Sequence, residues 1–524
     1  MDHPISSVEL IFVLFAVAIG LSYLARRLGV AEPILLLLGG LLLGLVPNLP
    51  RVELAPDLVF LLFLPPILFG AAYFTPIRDF KANARPILLL AIGLVLFTTV
   101  VVGLVANALI PGMGLAAALT LGAIVAPPDA VAATAIFQRL GVPRRIVTIL
   151  EGESLINDAS SLIAYRAAAA VAVGAATFSL AESSLAFFVV SLGGIVVGVV
   201  IGRVVTRALY RTGDPTLEIV VTLIAPATAY LAAELVGVSG VLATVVAGLI
   251  TGQRAARVLS PDARLLGRGA WQTVLWAINA FVFMLIGLQL PSIMAGLDTP
   301  PDVLLLYGTV ISLTVIATRF AWVFPATYLP RVLSARVRDR EPRPAARGVF
   351  IVSWAGMRGV VSLAAALGLV ADFPQRSLIL FLTFCVILAT LVGQGLTLPW
   401  LIRKLGVVAG ADDGVAEETH ARLAAVEAAL QRLDVLKADY PDHLQLIEQL
   451  RNDLEHEASH VLPSPGSALD EAEQELLDHR SIRTALLLAQ REAVIGLRDA
   501  GVINDQTLRR IERDLDLEAL RAGA

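Results

Sequence analysis

Residues 122–129 read Gly122-Ala-Ile-Val-Ala-Pro127-Pro128-Asp129, and they lie inside one apolar segment. Each proline lacks an N–H, so the carbonyls of Ala123 and Ile124 lose their helical donors. Carbonyls freed at membrane depth must be satisfied by protein, water or ions. Beyond the break a second half-helix starts, with its positive dipole end near Asp129. A structural kink would explain the prolines alone, but an adjacent carboxylate in an apolar segment is expensive and points to function. The next apolar segment carries Glu153-Ser154-Leu-Ile-Asn157-Asp158, which adds two further carboxylates. A broken helix beside titratable groups points to a cation pathway.

The surroundings of these motifs are a membrane protein. The 524 residues are 57% hydrophobic and 16% charged, with mean hydropathy +0.79. A soluble protein would carry about 25% charged residues. Apolar runs long enough to span a bilayer recur from Ile11 to about Leu401. The net charge of −4 conceals an asymmetry. Residues 405–524 hold 24 Asp+Glu and 12 Lys+Arg, whereas residues 1–404 hold 20 and 28. The expected division is therefore a transmembrane domain over 1–404 and an acidic, soluble domain over 405–524. The single cysteine, Cys385, excludes an intramolecular disulfide and a cysteine-based metal site. The first apolar run follows Met-Asp-His-Pro with no basic region or small-residue cleavage site, and is expected to be a retained helix.

Thirteen apolar segments are expected, near 8–25, 31–49, 56–74, 86–110, 114–137, 147–174, 183–210, 215–236, 238–252, 270–290, 302–328, 346–370 and 377–402. Odd-numbered connections, with the stretch after the last segment, carry 23 Lys+Arg, against two, Arg51 and Arg376, in the even ones. The positive-inside rule then places the N-terminus outside and the C-terminus in the cytoplasm. Thirteen divides as six, one and six, the plan of two inverted repeats around a linking helix. On that plan the fifth segment, broken at Pro127-Pro128, pairs with the twelfth, broken at Gly356-Met-Arg358-Gly359. The tail is expected to form helices over about 416–437, onward to 460, over 470–499 and from Asn504 or Asp505 to 520. A turn is expected at Pro463-Ser-Pro465-Gly466-Ser467.

Asp158 lies roughly ten residues into its segment, near mid-membrane. Ser154 and Asp158 are i,i+4 neighbours, as are Glu153 and Asn157. One face thus offers a hydroxyl and a carboxylate, the next stripe a carboxylate and an amide. Hard cations prefer such oxygen ligands. A carboxylate can also take a proton, so cation and proton compete for one group. A salt bridge to an arginine is the structural alternative for Asp158. Arg358 is permanently charged and needs an anionic partner; Glu153 is the first candidate, and contact with an anionic substrate is the other. Arg319 sits mid-segment and calls for an unnamed partner. Glu218 and Glu234 lie near segment ends, where interface exposure accounts for them. Gly40-Leu-Leu-Leu-Gly44 is a GxxxG pattern that favours close helix contact. Five histidines lie in the tail: His420, His443, His456, His460 and His479. They could sense pH, or be ordinary surface residues.

Three stretches, GAIVAPPDAVAATAIF, EGESLINDASSLIAYR and WAGMRGVVSLAAAL, together resemble the monovalent cation:proton antiporter family of NhaP-type sodium/proton antiporters and sodium/hydrogen exchangers. The likeness extends over residues 8–402 and includes FLPPILFGAAYF and SGVLATVVAGL. It implies an all-α polytopic fold of two inverted six-helix repeats, with helices 5 and 12 discontinuous. A transport core would move against a dimerisation domain, giving a homodimer. The family's essential carboxylate maps onto Asp158, its serine ligand onto Ser154, and the Asp of its Thr-Asp-Pro motif onto Asp129. Asp158, Asp129 and Ser154 would then hold Na+. Its Glu–Arg ion pair maps onto Glu153 and Arg358. Asn157 before Asp158 implies electroneutral exchange. Two departures stand out. Thr-Asp-Pro is here Pro128-Asp129-Ala130, without the hydroxyl that would contact Asn157. Gly70 stands where some members carry a glutamate.

The expected function is secondary antiport of a monovalent cation, sodium first, for protons across the plasma (inner) membrane, supporting pH homeostasis. Potassium or lithium exchange, a cation channel and a carboxylate symporter are the alternatives. The expected partners are cation, proton, membrane lipid and a second copy of the chain, not nucleic acid. No GxxxxGK[ST] loop is present, which argues against a primary pump. The chain reads as a transporter without a resident cofactor, not an enzyme.

Overall fold

The computed structural model describes residues 7–46, 59–175, 180–297, 299–341, 343–408, 412–461, 469–500 and 502–522. The chain divides into two compact units, Met1–Ala409 and Gly410–Ala524. In both, helix is the regular secondary structure of the described residues.

In the first unit the labelled helices are α1 (Ser7–Leu28), α2 (Glu32–Gly44), α3 (Leu64–Phe74), α4 (Val95–Leu109), α5 (Leu115–Val125), α6 (Ala130–Leu140), α7 (Arg144–Ala172), α8 (Leu180–Thr212), α9 (Pro215–Leu235), α10 (Gly240–Val258), α11 (Pro261–Leu288), α12 (Pro301–Leu333), α13 (Ala346–Trp354), α14 (Val360–Leu367), α15 (Arg376–Leu388) and α16 (Gly395–Leu405). π-helical stretches at Val59–Phe63, Leu89–Leu94 and Ala389–Gln394 lead into α3, α4 and α16. Each of the thirteen apolar segments carries helix. Among the described residues, eight spans are long and apolar enough to cross a membrane, and Glu32–Gly44 and Phe60–Phe74 are shorter apolar helices.

Two segments are interrupted. The fifth is split into α5 and α6, the twelfth into α13 and α14. Proline chemistry explains the first break; in the second, Gly356 and Gly359 lie within the non-helical backbone at Ala355–Gly359. The two breaks meet, and the Asp129 amide donates to the Met357 carbonyl at 2.7 Å. A Cβ on Gly359 would stand 1.9 Å from Asp129 Oδ2, so the approach requires glycine.

Small residues set the packing elsewhere. A Cβ on Gly40 would meet the Met284 carbonyl oxygen at 2.1 Å, and one on Gly287 the Leu37 carbonyl oxygen at 2.3 Å. The Gly40–Gly44 pattern therefore serves contact between α2 and α11 of the same chain. Gly194, Gly198 and Gly202 likewise bring α8 onto α10. Glu218, expected at an exposed end, is buried instead. It accepts from the Ser260 amide and hydroxyl, both at 2.9 Å, and so ties α9 to the start of α11. Glu234 pairs with Arg166 at 3.2 Å.

The second unit contains α17 (Asp412–Asp439), α18 (Leu444–Val461), α19 (Leu469–Asp499) and α20 (Asp505–Ala522). α17 packs on α18, with Arg451 paired to Asp434, and α19 on α20, with Arg491 paired to Asp516. Asn504 Oδ1 caps α20 by accepting from the Thr507 amide at 2.8 Å. The turn expected at 463–467 lies outside the described residues.

Candidate functional site

The crossing of the two breaks gathers four helix ends. At each C-terminal end, freed carbonyls carry partial negative charge, and at each N-terminal end, amides carry partial positive charge. Arg358 serves the end of α5: its Nε donates to the Val125 carbonyl at 3.0 Å and its Nη2 to the Ala126 carbonyl at 3.4 Å. Its Nη1 also donates to the Gly356 carbonyl. Arg319 serves the end of α13, donating from Nε to the Val352 carbonyl at 3.1 Å. The N-terminal ends face Asp129, whose Oδ1 caps α6 by accepting from the Val131 amide at 2.9 Å and whose Oδ2 lies against Gly359 at the start of α14. Two arginines and one aspartate therefore answer the four ends.

This arrangement corrects the expected ion pair. Glu153 is bound by Arg319, through Nη1 to Oε1 at 2.5 Å and Nη2 to Oε2 at 2.8 Å, with both side chains essentially inaccessible. Arg358 instead spends its donors on backbone carbonyls. Both guanidiniums flank Gly356, where a Cβ would stand 2.4 Å from Arg319 Cδ and 2.9 Å from Arg358 Nη1. The sequence names Arg358 as the partner because its permanent charge needs an anion and because the ion pair of the resembled family maps onto it. In the structure Arg319 reaches Glu153 from α12 and presents its two Nη atoms to the two carboxylate oxygens.

Asn157 also finds a partner despite the absent threonine. Its Nδ2 donates to the Pro128 carbonyl at 2.8 Å, while its Oδ1 is buried with no partner among the described residues. The carbonyl left free by the proline break thus takes the place of a hydroxyl. Ser154 Oγ accepts from the Ala130 amide at 3.4 Å, fastening α6 to α7.

Asp158 is 6% exposed, and its carboxylate makes no hydrogen bond or ion pair among the described residues. It lies at one end of a cavity of ≈ 690 Å³ with Pro127, Pro128, Asp129, Ser154 and Gly359. At the other end are Pro76, Gln138 and Arg144, beside connections rich in basic residues. Arg144 and Asp158 are about 21 Å apart along α7 at 1.5 Å per residue. Past Asp158, Leu162 packs into an apolar cluster with Val241, Val245 and Ile293. The cavity is thus a funnel that stops at the carboxylate.

Sequence reasoning overlooked part of the lining. Thr148 and Glu151 share the cavity with Ser154 and Asp158, in steps of three, three and four residues along α7. That polar stripe is a helical face and was readable from spacing. Ser362 on α14 and Asn279 on α11 also line the cavity, and the buried Ser362 hydroxyl has no partner among the described residues. Only the crossing of the breaks brings Ser362 there. Gly70 lines the same cavity.

Comparison with known proteins agrees with this architecture. Residues 11–404 match the family model described as sodium/hydrogen exchanger, transmembrane. An exchanger of Mycobacterium tuberculosis, described as an uncharacterized Na(+)/H(+) exchanger, is 35% identical over 98% of this chain and 96% of its own length. A sodium, potassium, lithium and rubidium/H(+) antiporter of Bacillus subtilis is 37% identical over 69% of this chain and 56% of its own. The fold is similar to that of the sodium proton antiporter MjNhaP1 from Methanocaldococcus jannaschii, with TM-score 0.60 at 19% identity, over 76% of this chain and 98% of that one. With a family model covering most of its length and a relative matched almost end to end, the chain is a multi-pass membrane protein of the sodium/hydrogen exchanger family.

Proposed function

We propose that the protein exchanges a monovalent cation, sodium first, for a proton, and that both compete for Asp158. The observation that carries this reading is the Asp158 carboxylate, without a partner among the described residues, at the buried end of a funnel with Asp129 and Ser154 beside it. A group already held by an arginine would have no vacancy for a cation; Glu153 is such a group and Asp158 is not. Oxygen atoms of Asp158, Asp129 and Ser154, with the spare oxygens of Asn157 and Ser362, suit a hard monovalent ion. A single site that holds either a cation or a proton, but not both, couples their movements. Asn157 adds no charge to the site, which favours one-for-one, electroneutral exchange.

The funnel opens beside the basic connections, so this conformation faces the cytoplasm if positive charge marks that side. The N-terminus is then outside and both the C-terminus and the acidic tail are inside the cell. Alternating access would close this funnel and open one on the opposite side. Potassium exchange is the second reading, favoured by the breadth of cations in the name of the Bacillus subtilis relative. A carboxylate symporter loses its support, because Arg358 is fully buried and committed to carbonyls. Exchange in proteoliposomes tests the proposal. A sodium gradient should drive proton counter-flow in the native protein and not in Asp158→Ala. Unimpaired exchange in that variant would overturn the role of Asp158. Repeating the assay with potassium, and with and without an imposed membrane potential, decides cation and stoichiometry.

A further inference from the structure

A second cleft, of ≈ 460 Å³, lies among the arginine-rich ends of α7, α12 and α13. Four guanidiniums line it: Arg85, Arg145, Arg331 and Arg347. They share little negative charge. Glu341 Oε2 accepts from Arg85 at 2.7 Å and from Arg331 at 2.8 Å, so one carboxylate serves two arginines. Among the described residues, Arg145 donates only to the neutral Asn83 side chain at 3.0 Å, and Arg347 to the Leu405 carbonyl at 3.4 Å. Arg331 is 8% exposed, and its Nε is buried without an acceptor among the described residues. Arg85 Nε and Nη1 are in the same condition. Buried donors without acceptors are costly, and buried cations more so. A phosphate group offers several charged acceptors in a geometry that guanidinium forks match.

The remaining wall is apolar, with Leu90, Val323 and Val349 among its residues. A cationic rim over an apolar wall at the basic side of a helical bundle suits an amphiphile with a phosphate head. A small soluble anion would leave the apolar wall uncovered. We propose that this cleft binds the phosphate head of an anionic phospholipid, with the lipid's hydrocarbon against the apolar wall. Its position gives such a lipid a structural role. α12 carries Arg319, α13 supplies the Val352 carbonyl that accepts from Arg319, and α7 carries Glu153. A lipid in the cleft braces the ends of the three helices that hold the buried ion pair.

The test uses binding, which is independent of whether exchange follows the mechanism above. Full-length protein is placed in nanodiscs of phosphatidylcholine alone or with phosphatidylglycerol, and native mass spectrometry reads the lipid retained. Retention of phosphatidylglycerol over phosphatidylcholine is expected, falling about 25-fold in affinity for Arg85→Gln/Arg347→Gln, at roughly 5-fold per arginine. Arg347→Gln alone, at an exposed position, should lose about 5-fold by the same measure. Equal retention of the two lipids, or undiminished retention in both variants, would overturn the proposal. Inorganic phosphate is the competing arm. Binding of phosphate that displaces phosphatidylglycerol would overturn the lipid assignment in favour of a soluble phosphate compound.

Discussion

Asp129 and Met357 are hydrogen-bonded backbone to backbone at 2.7 Å, which ties the two interrupted helices together at their breaks. The bond uses an amide and a carbonyl that helix geometry no longer serves. It also fixes Asp129 between the starting ends of α6 and α14. The carboxylate therefore has a structural duty, while Asp158, one helix away, is left unengaged.

That difference separates the two aspartates by experiment. Asp158→Asn should remove exchange and leave thermal stability equal or higher, since it discharges a buried group without a partner. Asp129→Ala should weaken both, because it removes the cap of α6, worth about 1 kcal/mol. Proteoliposome flux with fluorescence-detected unfolding reads both. In the native protein, the apparent Km for sodium should rise as proton concentration rises, as competition for Asp158 demands; a Km independent of pH would contradict it.

Breaking the Glu153–Arg319 pair should be severe. Glu153→Gln or Arg319→Gln leaves one charge buried alone, at about 3–5 kcal/mol. A double-variant cycle checks the partnership. Coupling of Glu153 to Arg319 should exceed its coupling to Arg358, and the reverse order would restore the pairing expected from sequence.

Gly359→Ala should disrupt the site without adding charge. Its Cβ would fall on Asp129 Oδ2, Cγ and Cβ at 1.9, 2.7 and 2.8 Å. Overpacking of this kind costs about 1–3 kcal/mol, and exchange should fall with stability. Gly393→Ala, with no atom within 4 Å of its Cβ, is the matched control.

Ser362→Ala should raise the apparent Km for the cation severalfold while leaving the maximal rate near native, if its free hydroxyl helps hold the ion. One lost polar contact of about 1 kcal/mol corresponds to roughly a 5-fold change. A flux titration against sodium measures it, and an unchanged Km would remove Ser362 from the site.

Truncation after Ala409 tests the tail. The cut must fall there because Val407 is part of the membrane unit's core. If the acidic unit regulates transport, the pH profile of exchange should shift. An unchanged profile would leave the tail a role in assembly or stability.

The sequence by itself determined what local chemistry dictates. Apolar runs and their basic connections located the helices, because burial in lipid demands long apolar segments whatever their neighbours. Pro127-Pro128 located the first break, because a missing N–H acts on its own helix. Asp158 stood out because an unpaired carboxylate in an apolar run has few explanations. Partner choice was different. Arg358 and Arg319 are both guanidiniums in apolar segments, and nothing local says which one meets Glu153. The answer depends on the crossing of the breaks, which turns Arg358 toward the end of α5 and leaves the fork of Arg319 to Glu153. Ser362 entered the cavity for the same reason. Contacts between residues 166 or more positions apart are decided by how whole helices pack, and only the tertiary structure contains that information.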